Sequence, residues 1–487
     1  MTLFEPTWES LHQYRVPTWF KQAKFGIFIH WGLYSVPAFD NEWYSRNMYQ
    51  EGSAAFLHHQ QKWGHQSEFG YKDFIPLFKA ERFDADAWAA LFRKAGARYV
   101  VPVAEHHDGF AMYDSQLTPW NAARLGPCRD IIGELADAVR KQDMVFGMSF
   151  HRAEHWWFFE GGLKFDSDVR DPRNASFYGP PVPAPQTSNY GSAEWTSRDW
   201  QPRPDAKFLD DWLARCCELV DRYQPQLFYF DWWIEQIVFQ PYLQKFAAHY
   251  YNRAEEWRSV ADAPHGAVLT HKFNTFPAGT AVYDLERGTL NELRPAYWQT
   301  DSSVSYKSWC YIEDDEFKST TTLVHDLIDV VSKNGNFLLN VGPKADGTFP
   351  DEVIALLHGI GAWLEVNGEA IYDTHHWHTF GEGVTVQAEG HMRDQEHIPF
   401  TAQDIRFTVK GDTLYAICLG WPGDSITIQS LGSGSPIKAE AIEQISMLGS
   451  SEPLMWSQDE RGLTISTPST RPCDHAYTFK IQVRGGV

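Results

Sequence analysis

Asp231 closes the run Leu227-Phe228-Tyr229-Phe230-Asp231-Trp232-Trp233, where one carboxylate follows an apolar stretch and is flanked by aromatic rings. An ionised carboxylate is costly in apolar surroundings unless something compensates it. A nucleophile or base at the mouth of a sugar pocket has use for such a group; a structural Asp capping the next turn is the plainer reading. Glycosidic cleavage needs a second carboxyl group beside the sugar ring. Glu286, which ends another apolar run and precedes Arg287-Gly288, is the expected partner, although a salt bridge to Arg287 would also occupy it. Glu154, Glu292 and Glu316 are weaker rivals. The sequence His106-His107-Asp108 could ligate a metal. Neighbours on a strand point to opposite faces, however, so imidazoles that bond to sugar hydroxyls are the better use. No metal and no organic cofactor is expected.

Short apolar runs at 25–29, 99–104, 145–150, 227–230, 267–270, 282–285, 296–298 and 337–341 read as the strands that must carry these groups. Helical patterns at 86–97, 130–142, 208–223, 242–257 and 322–333 fall between several of them, and 351–366 reads as a closing helix. Alternating strand and helix means parallel strands with crossover connections, so the expected fold is α/β, a distorted (β/α)8 barrel. The short spacing among the last strands predicts missing helices. In a barrel all strands end at one face. The first four runs end in His30, in Glu105 to Asp108, in His151 and in Asp231, and the sixth ends in Glu286-Arg287, so these residues should converge.

From about residue 371 the pattern changes. Residues 405–417 alternate on both sides of Gly411-Asp412, which is a hairpin, and 425–429, 463–466 and 477–483 continue the theme. A catalytic barrel over 1–370 and a C-terminal antiparallel β-sandwich over 371–487 are therefore expected. The proline-rich stretch 160–206 is too long for an ordinary connection, and its Tyr190, Trp195 and Trp200 favour a rim that touches substrate. Its Asp166, Asp168 and Asp171 lack the spacing of a calcium loop.

Composition narrows the function classes. A length of 487 residues with 43% hydrophobic content supports two cores. A net charge of −21 without a basic cluster argues against nucleic acid and anionic membrane as partners. The 21 Trp, 21 Tyr and 32 Phe offer faces that pack on the C–H side of pyranose rings. The cysteines at 128, 216, 217, 310, 418 and 473 form neither a zinc spacing nor a disulfide framework. Residues 1–6 lack the pattern of a secretory leader, and no apolar run reaches about 18 residues, so a cytoplasmic location is expected. A homo-oligomer is compatible with all of this.

Several long motifs carry a family resemblance. The run Trp19-Phe20 to Phe25-Gly26-Ile27-Phe28-Ile29-His30-Trp31-Gly32, followed by Glu42-Trp43-Tyr44, resembles the opening of glycoside hydrolase family 29, the α-L-fucosidases. His106-His107-Asp108-Gly109-Phe110, Asp130 to Leu135, Phe230-Asp231 and Asn336 to Pro343 are similar to its later motifs, so the resemblance spans residues 14 to about 373. It implies retaining hydrolysis of terminal α-L-fucosyl residues from oligosaccharides or glycosides, with Asp231 as nucleophile. It places His30, Glu42, Trp43, His106, His107 and Arg287 against the sugar, and His151 and Trp309 complete the expected contacts. In some members the acid/base is the Glu of a Trp-Glu pair, which here reads Trp298-Gln299. An amide cannot give up a proton near neutral pH, so the role passes to Glu286, where other members carry an acid. Two other readings remain open: another retaining glycosidase on the same barrel, and a carbohydrate-binding protein that has lost catalysis.

Overall fold

The computed structural model describes residues 3–179, 181–183, 199–257 and 266–487. Eight parallel strands close into a barrel in sequence order: β1 (Phe25–Ile29), β2 (Tyr99–Glu105), β3 (Val145–Phe150), β4 (Leu227–Phe230), β5 (Val268–His271), β6 (Val282–Glu286), β7 (Trp298–Ser303) and β8 (Gly335–Val341). Closure is by β1 on β8, with Phe25 opposite Phe337 and Ile29 opposite Val341. The strands are buried on both faces. Parallel sheets covered by helices demand this, and it explains why the runs read as continuous apolar stretches.

The crossover helices carry the caps that their sequences provide. Asp84, Asp130, Asp205 and Ser319 each accept a backbone N–H of the first turn at the head of Ala85–Lys94, Ile131–Lys141, Ala206–Tyr223 and Thr320–Ser332. Gln240–Trp257 follows β4, and Asp351–Asn367 follows β8. No helix lies between β5 and β6 or between β6 and β7, as the short spacing predicted.

β7 departs from expectation. The apolar reading stopped it at Trp298, whereas the strand runs from Trp298 to Ser303. Its polar residues are tolerated because buried partners meet them: Gln299 bonds Tyr99 and Asp284, and Asp301 bonds Tyr229 and Lys272.

Beyond the barrel, β9 (His375–Glu382), β10 (Ile405–Lys410), β11 (Thr413–Cys418), β12 (Ser425–Ile428), β13 (Ile442–Met447), β14 (Trp456–Asp459), β15 (Gly462–Ser466) and β16 (Tyr477–Val483) form two antiparallel sheets. The larger has the order β13-β16-β11-β10-β9 and the smaller β12-β15-β14. Phe407, Leu414, Phe479 and Ile481 of one sheet share a core with Ile426, Ile428, Leu463 and Ile465 of the other. β10 and β11 are joined through Gly411-Asp412, where φ of Gly411 is 58°, a value that favours glycine.

The segment between β9 and β10 does not stay with the sandwich. It returns to the end of β6, where the backbone N–H of Met392 donates to the carbonyl of Glu286 at 2.8 Å. The N–H groups of Arg393 and Asp394 donate to that of Arg287 at 2.9 and 3.0 Å.

Candidate active site

Side chains from the C-terminal ends of β1, β2, β3, β4 and β6 meet around a cavity of about 270 Å³, at the small end of ligand pockets, which run about 300–1,000 Å³. Asp231, Glu286, His30, Glu42, Trp43, His106, His107, His151 and Trp309 all line it. So do Phe28 and Tyr229, each two residues before an expected site residue and hence on the same strand face. Asn41, Asn47, Trp232, Asp301 and Met392 complete the wall.

Burial would raise the Asp231 carboxyl, but His151, with Lys272 and His107, holds it well below the ordinary carboxylate range. His151 Nδ1–H donates to Asp231 Oδ2 at 2.9 Å, and its Nε2 meets Ser149 Oγ at 3.0 Å. Glu286 is the opposite case. Burial pushes it up to about 7, against the nearby Lys272 and Arg287 and with some help from the charges of Asp231 and Asp301. Desolvation, rather than repulsion by Asp231 alone, is thus the main cause of the rise. One cavity therefore holds Asp231 as an ionised carboxylate and Glu286 as a carboxyl that titrates near neutrality.

Three imidazoles are kept neutral. His30, His106 and His107 are all lowered, foremost by burial, His107 to about 3. Their tautomers follow from their partners. Asn340 Nδ2 donates to the carbonyl of Trp309 at 2.6 Å, so its Oδ1 must accept from His30 Nδ1–H at 2.7 Å. His107 Nδ1–H donates to the carbonyl of His151 at 2.7 Å. Both rings are left with Nε2 as an acceptor, suited to a hydroxyl donor. The Trp309 ring stacks on His30 at 5.2 Å, and the Trp309 backbone N–H donates to Glu42 Oε2 at 3.1 Å. Burial pushes Glu42 up to about 7. Trp43 lies parallel to Trp232 at 6.2 Å.

Among the described residues, the groupings that could geometrically hold a metal are His30–His106–His151 and His107–His151–Asp231, with ligand atoms within 4.8 Å of one another. Both are these same cavity residues, and Asn340, Ser149 and the His151 carbonyl already engage ring nitrogens there. Asp168 bonds Tyr49 and Tyr178, and Asp171 pairs with Arg173.

Arg287, expected against the sugar, is not among the residues that line the cavity and lies behind Trp309, which does. Asp284 and Glu286 face the barrel interior, so the next residue points away, and the left-handed backbone at Arg287 (φ 43°) turns the chain there. Its guanidinium donates to Asp394 Oδ2 at 3.0 Å and to the Ser305 carbonyl, and it lies over the Trp309 ring at 4.9 Å. Glu154 is fully buried with neither carboxyl oxygen hydrogen-bonded, 3.6 Å from His107 Nε2, and Glu292 and Glu316 are exposed. Gln299 is opposite Asp284 in the β6–β7 register, one layer below Glu286 and Asp301. Trp200 packs on Trp233 rather than lining the cavity, and Tyr190 and Trp195 lie outside the described residues.

The sequence reading missed a charged cluster beneath Glu286. Lys272 Nζ lies 3.0 Å from Asp284, 3.2 Å from Asp301 and 3.5 Å from Glu286. Burial works against its charge, but the three carboxyl groups raise its pKa well above the ordinary value. Lys272 directly follows β5, the signal that should have singled it out.

With this geometry in view, the comparisons with known proteins decide the family. A model of the alpha-L-fucosidase family matches residues 1–369, and one of the alpha-L-fucosidase C-terminal domain matches 399–482. The chain belongs to the alpha-L-fucosidase family. It is 30% identical to human plasma alpha-L-fucosidase over 507 residues, covering 99% of this chain and 92% of that protein. It is also 30% identical to bovine tissue alpha-L-fucosidase, covering 98% and 91%. The crystal structure of Thermotoga maritima alpha-fucosidase in complex with fucose superposes with a TM-score of 0.76 at 29% identity, covering 98% of this chain and 100% of that one. This family member is a glycoside hydrolase. Residues 370–398, which supply Met392 and Asp394, fall between the two matched ranges.

Proposed function

We propose that this fucosidase is exo-acting and retaining, with Asp231 as nucleophile and Glu286 as acid/base. The observation that carries the reading is that Asp231, held ionised, and Glu286, raised to about 7, share a single cavity of about 270 Å³, while Glu42, raised likewise, accepts the backbone N–H of Trp309. That volume suits one terminal sugar. Asp231 attacks the anomeric carbon while Glu286 protonates the departing oxygen, giving a fucosyl-enzyme ester. Having given up its proton, Glu286 stays ionised more readily once the ester has removed the charge of Asp231, and as base it takes a proton from the water that hydrolyses the ester. The acceptor nitrogens of His30 and His107 would receive sugar hydroxyls, and Trp43 and Trp309 would pack on the ring.

The substrate would be a fucosylated oligosaccharide or glycoside. Against the alternative of a carbohydrate-binding protein that has lost catalysis, Gln299 sits below the cavity, whereas the second carboxyl group, Glu286, lines it. A cytoplasmic site of action is part of the proposal and is supported by six free cysteines. Hydrolysis of an aryl α-L-fucoside, set against its β-anomer and aryl galactosides and followed by NMR, tests the whole. The α-fucoside should be cleaved and α-fucose should appear first; first release of β-fucose would exclude retention.

A further inference from the structure

The deep end of the cavity comes from the barrel, with His30, His106 and His151 almost wholly buried. The rim beside Glu286 comes from another part of the chain. His391 Nδ1 accepts the backbone N–H of Glu286 at 3.1 Å, and its Nε2 meets Tyr283 Oη at 2.8 Å. Burial, with the charge of Lys272, lowers His391 to about 4, so the ring is neutral and Nε2–H must be the donor to Tyr283. Next to it, Met392 donates its N–H to the Glu286 carbonyl, lines the cavity, and is 41% exposed. Its φ is 58°, a left-handed conformation that an unbranched side chain adopts only where its surroundings impose it. The bonds of Arg393 and Asp394 to Arg287 impose it here.

In a retaining site the acid/base stands where the leaving group departs. A half-exposed thioether bolted beside Glu286 therefore stands on the leaving-group side, a soft apolar surface next to the acid/base carboxyl. We infer that Met392, from the segment joining β9 to β10, is a specificity-determining residue of a leaving-group subsite, whose ligand presents a flat apolar face: an aryl ring or the C–H face of a sugar. This rests on the fucosidase reading and on Glu286 as its acid/base.

The test compares three substrates: α-L-fucosyl fluoride, whose leaving group fills no subsite, 4-nitrophenyl α-L-fucoside, and a fucosyl disaccharide. The readout is the kcat/KM of each of the last two divided by that of the fluoride, a ratio from which the fraction of correctly folded enzyme cancels. Met392→Ala should lower at least one ratio about fivefold, and which one falls says whether an aryl or a sugar face is taken. Met392→Leu, which keeps the apolar surface, should hold the ratios within about twofold of wild type. Ratios unchanged in Met392→Ala, or equally lowered in Met392→Leu, would overturn the assignment of Met392. Failure of the wild-type enzyme to cleave the fluoride at all would instead overturn the fucosidase reading.

Discussion

On the β1–β4 side of the cavity, His30, His106 and His107 are buried and neutral, and their partners are amide, carbonyl and aromatic groups. On the β5–β7 side, Asp284, Glu286 and Asp301 crowd around Lys272, all of them buried. The first wall offers acceptors of fixed direction, which suits recognition of hydroxyls. The second sets one lysine against three carboxyl groups, two positive charges short of neutrality if all ionise. Such an excess favours protonated carboxyl groups. Asp284 is raised well above its ordinary value, foremost by burial. Glu286, farthest of the three from Lys272, raised to about 7 and lining the cavity, is the one suited to carry a proton to the substrate. Asp231 lies between the walls, fixed by His151 from one side and stabilised by Lys272 from the other. On the proposed roles, recognition and proton transfer fall to different halves of one barrel.

The contrast breaks most completely at its seam. Asp231→Asn should lower kcat by about 10³-fold or more with an unchanged circular dichroism spectrum, and added azide should restore part of the rate and give β-fucosyl azide. Activity within tenfold of wild type would remove Asp231 from the role.

Striking only the charged wall should separate two substrates. For Glu286→Ala, loss on a disaccharide should reach about 10²–10⁴-fold, while the first step on a dinitrophenyl fucoside should change little, because that leaving group needs no proton. Azide should then yield α-fucosyl azide; a β-azide would place the acid/base elsewhere.

Lys272→Met probes how the charge balance is held. Glu286 must be protonated to act, so wild-type kcat/KM should fall as pH rises through about 7, the value of Glu286. Lys272 lowers that pKa, so its removal should move the alkaline limb upward. Stability should drop by about 3–5 kcal/mol, read by denaturant titration, since buried carboxyl groups lose their cation. A limb that stays in place would show that Lys272 does not tune Glu286. On the neutral wall the effect should be smaller and of another kind. Asn340→Ala frees the His30 tautomer and should raise KM about tenfold with little change in the alkaline limb. A shifted limb would mean that the two walls are not separate.

The same division governs what could be read from sequence. Groups at the ends of apolar strands were visible, because a run such as 227–230 announces both the strand and the carboxylate that ends it. The charged wall was not, because β7 is polar along its inner face and its apolar signal ends at Trp298, three residues before Asp301. Period-2 alternation would have found Phe28 and Tyr229 from His30 and Asp231, and would have turned Arg287 away from Glu286. Met392 and His391 carried no local signal: both bond Glu286 of β6, more than a hundred positions earlier in the chain, and Met392 thereby reaches the cavity.

The two connections that lack helices, between β5 and β6 and between β6 and β7, bear on how the chain is made. A parallel sheet tolerates no bare face, and here the connection after β6 is joined by a patch from beyond the last barrel strand: Thr289 Oγ1 donates to the Ala388 carbonyl and Asn291 Nδ2 to that of Gln387. During vectorial synthesis all eight strands leave the ribosome before their patch exists. The nascent barrel therefore carries an open flank until the segment after β9 arrives, and this is the window in which it is prone to aggregate. A chain ending at residue 370 would hold that window open permanently.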